Sequence, residues 1–196
     1  MNTEELRHVH NKIKIGFSGT AKTDFLKQQD MIICEAAGAE VAKQGCVLVT
    51  GATTGSPLWA AKGCKEAGGI SIGLSPAESE EEHIKTYELP LDYMDLIIYT
   101  GFGYSGRDLL FTRSTDAMII GPGRIGTIHE FTIAFENNRP IGILSSDDWD
   151  TDEVIKFIIE ESHRKDENPN VFFESDPKKL VEKLIEFAKV AKKGHL

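Results

Sequence analysis

Short apolar runs alternate with longer amphipathic segments along most of the chain. Seven runs have the length and composition of β-strands, and they occupy residues 12–18, 46–51, 70–75, 95–100, 116–121, 140–145 and 170–175. Helical periodicity is found at residues 28–45, 58–69, 107–115, about 126–138, 151–165 and 176–193. Because strands and helices alternate, the pattern predicts an α/β fold.

The predicted strands are nearly continuous apolar runs, which are typical of a parallel sheet covered on both faces. We therefore expect a single domain, residues 1–196, with a Rossmann-like, doubly wound and mainly parallel sheet of about seven strands. One segment, residues 76–94, interrupts the alternation because it is acidic and contains two prolines. It is predicted to be a loop, and it either forms a lid or wall of a binding site or is a solvated excursion.

The composition excludes some classes of partner. The 196 residues carry a net charge of −9, which argues against binding to nucleic acid or to an anionic membrane, although a local basic pocket for one small anion remains compatible with it. The polar N-terminus "MNTEELRHVHNK" does not resemble a signal peptide, and no apolar run reaches the roughly 20 residues of a membrane span. Three widely spaced cysteines indicate buried thiols rather than disulfides or zinc. We expect a cytoplasmic protein.

Four strand ends are followed by stretches rich in Gly, Ser and Thr. In an open α/β sheet, ligands bind at the carboxyl ends of the strands, near the point where the strand order reverses. Free backbone N–H groups and a helix N-terminus at such a place favour phosphate or another anion. The four stretches are "SGTAKTD" (18–24), "TGATTGSP" (50–57), "TGFGYSGRD" (100–108) and "GPGRIGTIHEF" (121–131).

The last of these stretches has two interpretations when it is taken alone. Its glycines at 121, 123 and 126 match Gly-x-Gly-x-x-Gly, but they follow the fifth strand, and neither a P-loop nor an ordinary NAD site is indicated elsewhere. Thr127 and Glu130 have the spacing of a capping box, which would stabilise the helix by about 1 kcal/mol without any function. Taken alone, the stretch favours a helix cap, although the same helix end can also face a phosphate.

A resemblance to a known family favours the second interpretation. "PGRIGTIHE" looks like the Pro-Gly-Gly-x-Gly-Thr-x-x-Glu signature of the Lonely guy (LOG) family, Rossmann-like phosphoribohydrolases often labelled "possible lysine decarboxylase". "RDLLFTRSTDA" has the Arg-x(5)-Arg-x(2)-Asp-Ala pattern that precedes this signature in the family. The similarity covers roughly residues 12–145. The wider superfamily includes molybdenum cofactor carrier proteins, which bind without hydrolysing.

The resemblance implies a site for a nucleoside 5′-monophosphate. Arg107 and Glu130 would be catalytic: the carboxylate would orient water or ribose hydroxyls and stabilise an oxocarbenium-like ribose, and Arg107 would position the substrate. The remaining residues of the site would bind the phosphate or line the cleft. These are Gly19, Thr20, Gly51, Thr53, Thr54, Gly55, Gly123, Arg124, Gly126 and Thr127.

Two departures from the family pattern leave a second function open. Arg124 replaces the second Gly of Pro-Gly-Gly, and Ala52, Thr53 and Thr54 stand where relatives are richer in Gly. The chain is therefore either a phosphoribohydrolase or a non-catalytic carrier or sensor of a nucleotide or molybdopterin-type cofactor. The resemblance also implies a homodimer or higher homo-oligomer.

Other polar residues of these segments are assigned no role in the site. We expect His129 to pack beside the site or at a subunit contact, and a structural salt bridge is an alternative role for Arg113. The run "SSDDWDTDE" is interpreted as a solvated loop and helix cap, so no metal is expected. Nothing identifies a Schiff-base lysine for pyridoxal phosphate, so the decarboxylase label is set aside, and the hydrolysis is expected to need no cofactor.

Overall fold

A computed structural model describes residues 11–164 and 167–193. The expectation for the polar N-terminus falls almost wholly on residues outside this part. The strands are β1 Lys14–Ser18, β2 Val47–Thr50, β3 Ile70–Ser75, β4 Leu96–Tyr99, β5 Ala117–Ile120, β6 Ile141–Leu144 and β7 Val171–Glu174. The helices are α1 Gln28–Lys43, α2 Ser56–Glu66, α3 Glu80–Lys85, α4 Gly103–Ser114, α5 Ile125–Glu136, α6 Thr151–Glu161 and α7 Pro177–Lys193.

The seven strands form one parallel sheet in the order β4-β3-β2-β1-β5-β6-β7. This confirms the predicted doubly wound α/β fold. The order reverses between β1 and β5, which pair directly, with Phe17 opposite Ile119. On its other side β1 pairs with β2, with Phe17 opposite Thr50. The carboxyl ends of β1, β2 and β5 therefore meet at one edge of the sheet, where this class of fold binds ligands.

Alternate residues of the central strands pack into two separate cores. Ala117 and Ile119 of β5 lie with the helices α1, α2 and α7 on one face of the sheet. Met118 and Ile120 of the same strand lie with α4, α5 and α6 on the other face. Both sets are fully buried, which explains why the strand reads as an unbroken apolar run.

The segment 76–94 differs from its prediction as a loop. It contains the helix α3, because Ser79 caps the helix by accepting from Glu82 N at 3.2 Å and Glu82 accepts from Glu78 N. His83 of this helix is fully buried and contacts Ser75 Oγ at 2.8 Å. The segment is thus held against the end of β3, and none of its residues lines the candidate cavity described below.

The three cysteines are free and buried, as predicted. Burial raises the pKa of the Cys34 thiol, and it raises the pKa of Cys64 to about 11. These thiols therefore pack as small apolar groups and are not activated nucleophiles. None of the helices in residues 11–164 and 167–193 is both long and apolar enough to cross a bilayer.

Two glycines allow α1 and α2 to pack backbone against backbone. A Cβ atom placed on Gly38 of α1 would lie 1.8 Å from the carbonyl oxygen of Ala60, and one placed on Gly63 of α2 would lie 1.9 Å from that of Glu35. Neither oxygen belongs to a movable side chain. The separation of the two helices is therefore fixed by the absence of a side chain at both positions.

We predict that Gly38→Ala destabilises the protein, although alanine is the better helix former by about 1 kcal/mol. The added methyl group would force the two helices apart, and overpacking of this kind costs about 1–3 kcal/mol. Chemical denaturation would compare this variant with the matched control Ala36→Gly at an exposed position of α1. If Gly38→Ala proved more stable than the wild type, helix propensity alone would govern the site and the proposed contact would be wrong.

Candidate functional site

A cavity of about 270 Å³ lies at the carboxyl ends of β1, β2 and β5. The loops that follow these three strands form its walls, together with the first turns of α4 and α5. Nine of the twelve site residues predicted from the sequence line it. The lining residues are Phe17, Gly19, Thr20, Ala21, Lys22, Gly51, Thr53, Pro57, Tyr104, Arg107, Asp108, Arg124, Gly126, Thr127 and Glu130.

Three charged side chains at the bottom of this cavity form what we call the charge cluster: Arg107, Asp108 and Glu130. Each is 5% or 6% exposed. Arg107 Nη1 lies 3.6 Å from Glu130 Oε1, and Arg107 Nε lies 3.4 Å from Asp108 Oδ1. The Nε–H makes no hydrogen bond within the described residues, so Arg107 retains a buried donor without an acceptor.

The guanidinium of Arg107 occupies space that a glycine leaves free. A Cβ atom on Gly51 would lie 1.5 Å from Arg107 Nη1. The ring of Tyr104, one helical turn earlier on α4, lies 5.8 Å from Arg107 Cζ and provides a cation–π contact. Gly51 was predicted to line a ligand cleft, and in the structure it also makes room for the arginine.

Glu130 is held by Ser18 at the end of β1. The Ser18 hydroxyl donates to Glu130 Oε2. Burial is the main cause that raises the pKa of Glu130 from 4.5 to about 8; the Arg107 charge opposes this increase and the Asp108 carboxylate adds to it. A carboxyl group with such a pKa can gain or lose a proton near neutral pH, which is a property of catalytic acids and bases.

The capping box suggested by the sequence is absent. The helix α5 begins at Ile125 with Arg124 as its N-cap, so Thr127 lies inside the first turn instead of at the cap. Glu130 reaches Ser18 rather than a backbone N–H group. The Thr127 hydroxyl is buried without a hydrogen-bond partner among the described residues. Thr127 and Glu130 are thus both free of capping roles and both line the cavity.

The first turn of α5 presents backbone donors at the cavity. The first hydrogen bond of the helix runs from Ile128 N to Arg124 O at 3.0 Å. The N–H groups of residues 125–127 come before this bond and have no acceptor within the helix. An exposed arginine and an exposed lysine, Arg124 and Lys22, stand at the cavity mouth, and neither forms an ion pair within residues 11–164 and 167–193. The protein is acidic overall, but this opening has a local excess of cations.

Three predicted site residues lie outside the cavity wall. The Gly123 N–H, expected to bind phosphate, donates to Thr151 Oγ1 at 2.8 Å instead. Thr54 Oγ1 donates to Ala21 O at 3.0 Å. Gly55 has φ +73° at the start of α2, and a Cβ atom there would lie 2.2 Å from Thr20 O. These residues shape the loops that carry the lining residues.

Part of the motif that resembles the LOG family is structural. Asp116 accepts from Lys14 N at 2.8 Å and from Lys192 Nζ at 3.1 Å, at the amino end of the sheet. Arg113 is exposed and forms no ion pair within the described residues; only its backbone oxygen is used, by Arg139. The described residues therefore provide no salt bridge for Arg113.

Asp108 is a member of the site that the sequence analysis missed. It follows Arg107 directly, and adjacent helical residues do not face one another, so spacing gave no reason to place both in one cavity. His129 lies beside the site, as expected, and contacts Asp108 Oδ2 through Nδ1 at 2.9 Å. The described residues, which include the run "SSDDWDTDE", contain no group of three or more His, Cys, Asp or Glu side chains suited to a metal ion.

Comparisons with known proteins agree with this fold. An uncharacterized protein from Archaeoglobus fulgidus is 29% identical over 132 residues, which make up 67% of this chain and 80% of that protein. The structure is similar to the molybdenum cofactor binding protein of Rippkaea orientalis, with 27% identity and a TM-score of 0.71 over 93% of this chain and 99% of that one. The structure is also similar to the molybdenum cofactor carrier protein of Chlamydomonas reinhardtii. The identity is 26% and the TM-score is 0.72, over 91% of this chain and 99% of that one.

DNA processing protein A from Helicobacter pylori shares the fold alone, with 15% identity and a TM-score of 0.64 over 89% of this chain and 80% of that one. A family model matches residues 12–181, which include every strand of the sheet and every loop of the cavity. These matches confirm the expected LOG-like family with molybdenum cofactor carriers among its relatives. The chain belongs to the SLOG cluster4 family.

Proposed function

We propose that the protein binds a nucleoside 5′-monophosphate in the cavity and hydrolyses its N-glycosidic bond, releasing the free base and ribose 5-phosphate. The observation that carries this proposal is the presence of two complementary groups in one small cavity. One is a helix N-terminus with exposed cations, and the other is a buried Arg–Glu pair. The first suits a phosphate, and the second suits a ribose that develops positive charge.

The phosphate would lie against the first turn of α5. Backbone N–H groups of Gly126 and Thr127 precede the hydrogen bonds of this helix, and its dipole favours an anion there. The unpartnered Thr127 hydroxyl would gain an acceptor, and Arg124 and Lys22 would add charge-assisted contacts. Buried polar atoms without partners are uncommon in native proteins, and a bound phosphate accounts for this one.

The ribose would then lie over the charge cluster. In its ionised form Glu130 would orient water or ribose hydroxyls and stabilise the oxocarbenium-like ribose. The free Nε–H of Arg107 would position the substrate or assist departure of the base. The desolvated setting makes each of these electrostatic contacts stronger than it would be in water.

A second candidate function is that of a carrier or sensor. It is favoured by the similarity to the molybdenum cofactor binding and carrier proteins, which extends over more than 90% of this chain. Arg124, which replaces a glycine of the LOG signature, also supports this function, because its side chain stands where a phosphate would approach the helix. In this case the ligand would be a nucleotide or molybdopterin-type cofactor, and it would leave unchanged.

Two expectations about partners stay predictions. A homodimer or larger homo-oligomer would use the surface next to the cavity, where Ile125 at the start of α5 is 84% exposed. Binding to nucleic acid is not expected for a chain of net charge −9.

We predict that the protein releases the free base from at least one nucleoside monophosphate, as measured by chromatography. The rate of base release should fall by at least about 100-fold in Glu130→Gln and in Arg107→Ala. Arg113→Ala is the matched control, because this arginine lies exposed on the same helix as Arg107. Activity that survives Glu130→Gln would show that the catalytic assignment is wrong. Tight binding of one compound without any base release would favour the carrier.

Arg124→Gly distinguishes the two functions more directly, because it restores the glycine of the LOG signature. If Arg124 contacts the phosphate, this variant should bind ribose 5-phosphate about ten-fold more weakly in calorimetry, since one charge-assisted contact is lost. If Arg124 instead blocks the phosphate, the variant should bind more tightly and release base faster. Arg124→Lys keeps the charge and serves as the control.

The raised pKa of Glu130 predicts a pH-dependent stability. Between pH 4.5 and about 8 the folded protein retains a proton on Glu130 that the unfolded chain releases. The contribution of Glu130 to the free energy of unfolding therefore decreases as the pH rises through this window. Glu130→Gln should gain stability relative to the wild type at pH 8.5 compared with pH 5.5 in urea denaturation. Exposed Glu153→Gln should show no such gain, and an equal response of both variants would contradict the burial argument.

A further inference from the structure

A second cavity opens beside the candidate cavity and shares Arg124 with it. Its volume is about 630 Å³, whereas that of the candidate cavity is about 270 Å³. The loop after β1 and the first turns of α5 and α6 form its walls, and Phe25, Ile128 and Val154 line it. We call this space the second cavity. Apart from Arg124, its lining residues have no part in the proposed hydrolysis.

Two segments of the chain line both cavities. In the loop after β1, residues 19–22 line the candidate cavity and residues 24–25 line the second cavity. At the start of α5, residues 126–127 line the candidate cavity, residues 123–125 line the second cavity, and Arg124 lines both. The N-terminus of α5 therefore lies at the boundary between the two cavities. Its dipole favours an anion at a place that both cavities reach.

Two polar groups at this boundary lack partners. The Thr127 side chain is 2% exposed, and its hydroxyl has no hydrogen-bond partner among the described residues. Arg124 forms no ion pair within residues 11–164 and 167–193, although three aspartates line the second cavity with it. A phosphate at the boundary would accept from the Thr127 hydroxyl and would pair with Arg124. The boundary therefore fits the phosphate of a ligand that extends to both sides.

The volumes indicate how much of a ligand each cavity can hold. Small-molecule sites typically have roughly 300–1,000 Å³, so the candidate cavity suits one nucleotide at most. A group joined to the far side of the phosphate would have to lie outside it. The second cavity provides that space next to Arg124.

The second cavity suits an uncharged aromatic group rather than another phosphate. Phe25 and Val154 are each 43% exposed, so their apolar surface is available to a ligand. Asp24 and Asp150 add exposed carboxylates, which repel a phosphate but accept hydrogen bonds from amino groups. A nucleobase matches both features, because its faces stack on an aromatic ring and its amino group donates.

We propose that the ligand is a dinucleotide, in which the 5′-phosphate of one nucleoside is bridged to a second nucleoside. The phosphate bridge lies at the start of α5 beside Arg124. One nucleoside occupies the candidate cavity, and the base of the other stacks on Phe25 in the second cavity. This rests on the proposed binding of a nucleotide phosphate at α5 and adds the class of ligand.

The dinucleotide requires no additional chemical step. Water would add to the ribose carbon that carries the base in the candidate cavity, and that base would leave with a proton. The phosphate bridge would stay intact, so the second nucleoside would remain attached to the product. If the protein is a carrier, the same ligand would be bound and released unchanged.

Calorimetry with adenosine and guanosine 5′-monophosphates and with diadenosine and diguanosine 5′,5′-diphosphates tests the second cavity. The monophosphates and the dinucleotides each carry about two negative charges near neutral pH, so a difference in affinity does not arise from charge. At least one dinucleotide should bind about ten-fold or more tightly than its monophosphate, because a second base stacks. Equal or weaker binding of both dinucleotides would overturn the proposal.

Two substitutions change the second cavity alone. Phe25→Ala removes the stacking ring and should weaken dinucleotide binding by about ten-fold. Val154→Trp fills the cavity from α6 and should abolish the advantage of the dinucleotide. Both positions are partly exposed, so the native fold should be retained, and both variants should bind the monophosphates like the wild type.

Phe157→Ala is the matched control, because Phe157 is a 63% exposed phenylalanine of α6 that lines neither cavity. It should bind dinucleotides like the wild type, and an equal loss in Phe25→Ala and Phe157→Ala would contradict the stacking. Analytical ultracentrifugation tests a second copy of the chain as the occupant. If Phe25→Ala and Val154→Trp change the oligomeric state but not the affinity for dinucleotides, the second cavity is a contact between copies and the proposal is wrong.

Failure of the dinucleotide proposal can be told apart from failure of the proposed function. Monophosphates that bind and release base, with no advantage for the dinucleotides, would leave the proposed function intact and remove only the second nucleoside. If neither the monophosphates nor the dinucleotides bind, the phosphate site at α5 is wrong, and both proposals fail together.

Discussion

The reversal of strand order between β1 and β5 is the constraint on which the site depends. Helices leave the sheet in opposite directions on the two sides of this point, so the loops after the strands separate and open a crevice. The same reversal brings α4 and α5 together over β1. Arg107 and Glu130, which are 23 positions apart in the sequence, can therefore pair in the crevice although they belong to different helices. The cavity is a consequence of the sheet topology.

The sequence was sufficient to predict the sheet, because its strands are buried on both faces and contrast sharply with the helices between them. The prediction was wrong where a side chain has a partner from a distant part of the chain. Thr127 and Glu130 have capping-box spacing, but the Ser18 hydroxyl at the end of β1 donates a hydrogen bond to the Glu130 carboxylate. The two residues are 112 positions apart in the sequence. The helix α3 was missed because its acidic composition resembles that of a solvated loop.

Most residues of the candidate cavity could be named from the sequence, but the contacts among its charged groups could not. Gly-rich strand ends and the family resemblance identified most of the cavity wall. Asp108 was overlooked because it is adjacent to Arg107, and adjacent residues of a helix normally point apart. Its involvement depends on how α4 packs against α5, which lets Asp108 contact His129 on one side and Arg107 on the other. Such packing is a tertiary property that no local spacing encodes.

The cations at the cavity mouth have a consequence for the speed of ligand capture. A chain of net charge −9 would repel the proposed phosphate ligand over most of its surface, whereas Lys22 and Arg124 would attract it at this opening. The surrounding acidic surface therefore restricts productive collisions to one direction of approach. Dissolved salt screens both effects within about 10 Å at 0.1 M, so ionic strength affects the association rate more than it affects contacts inside the buried cavity.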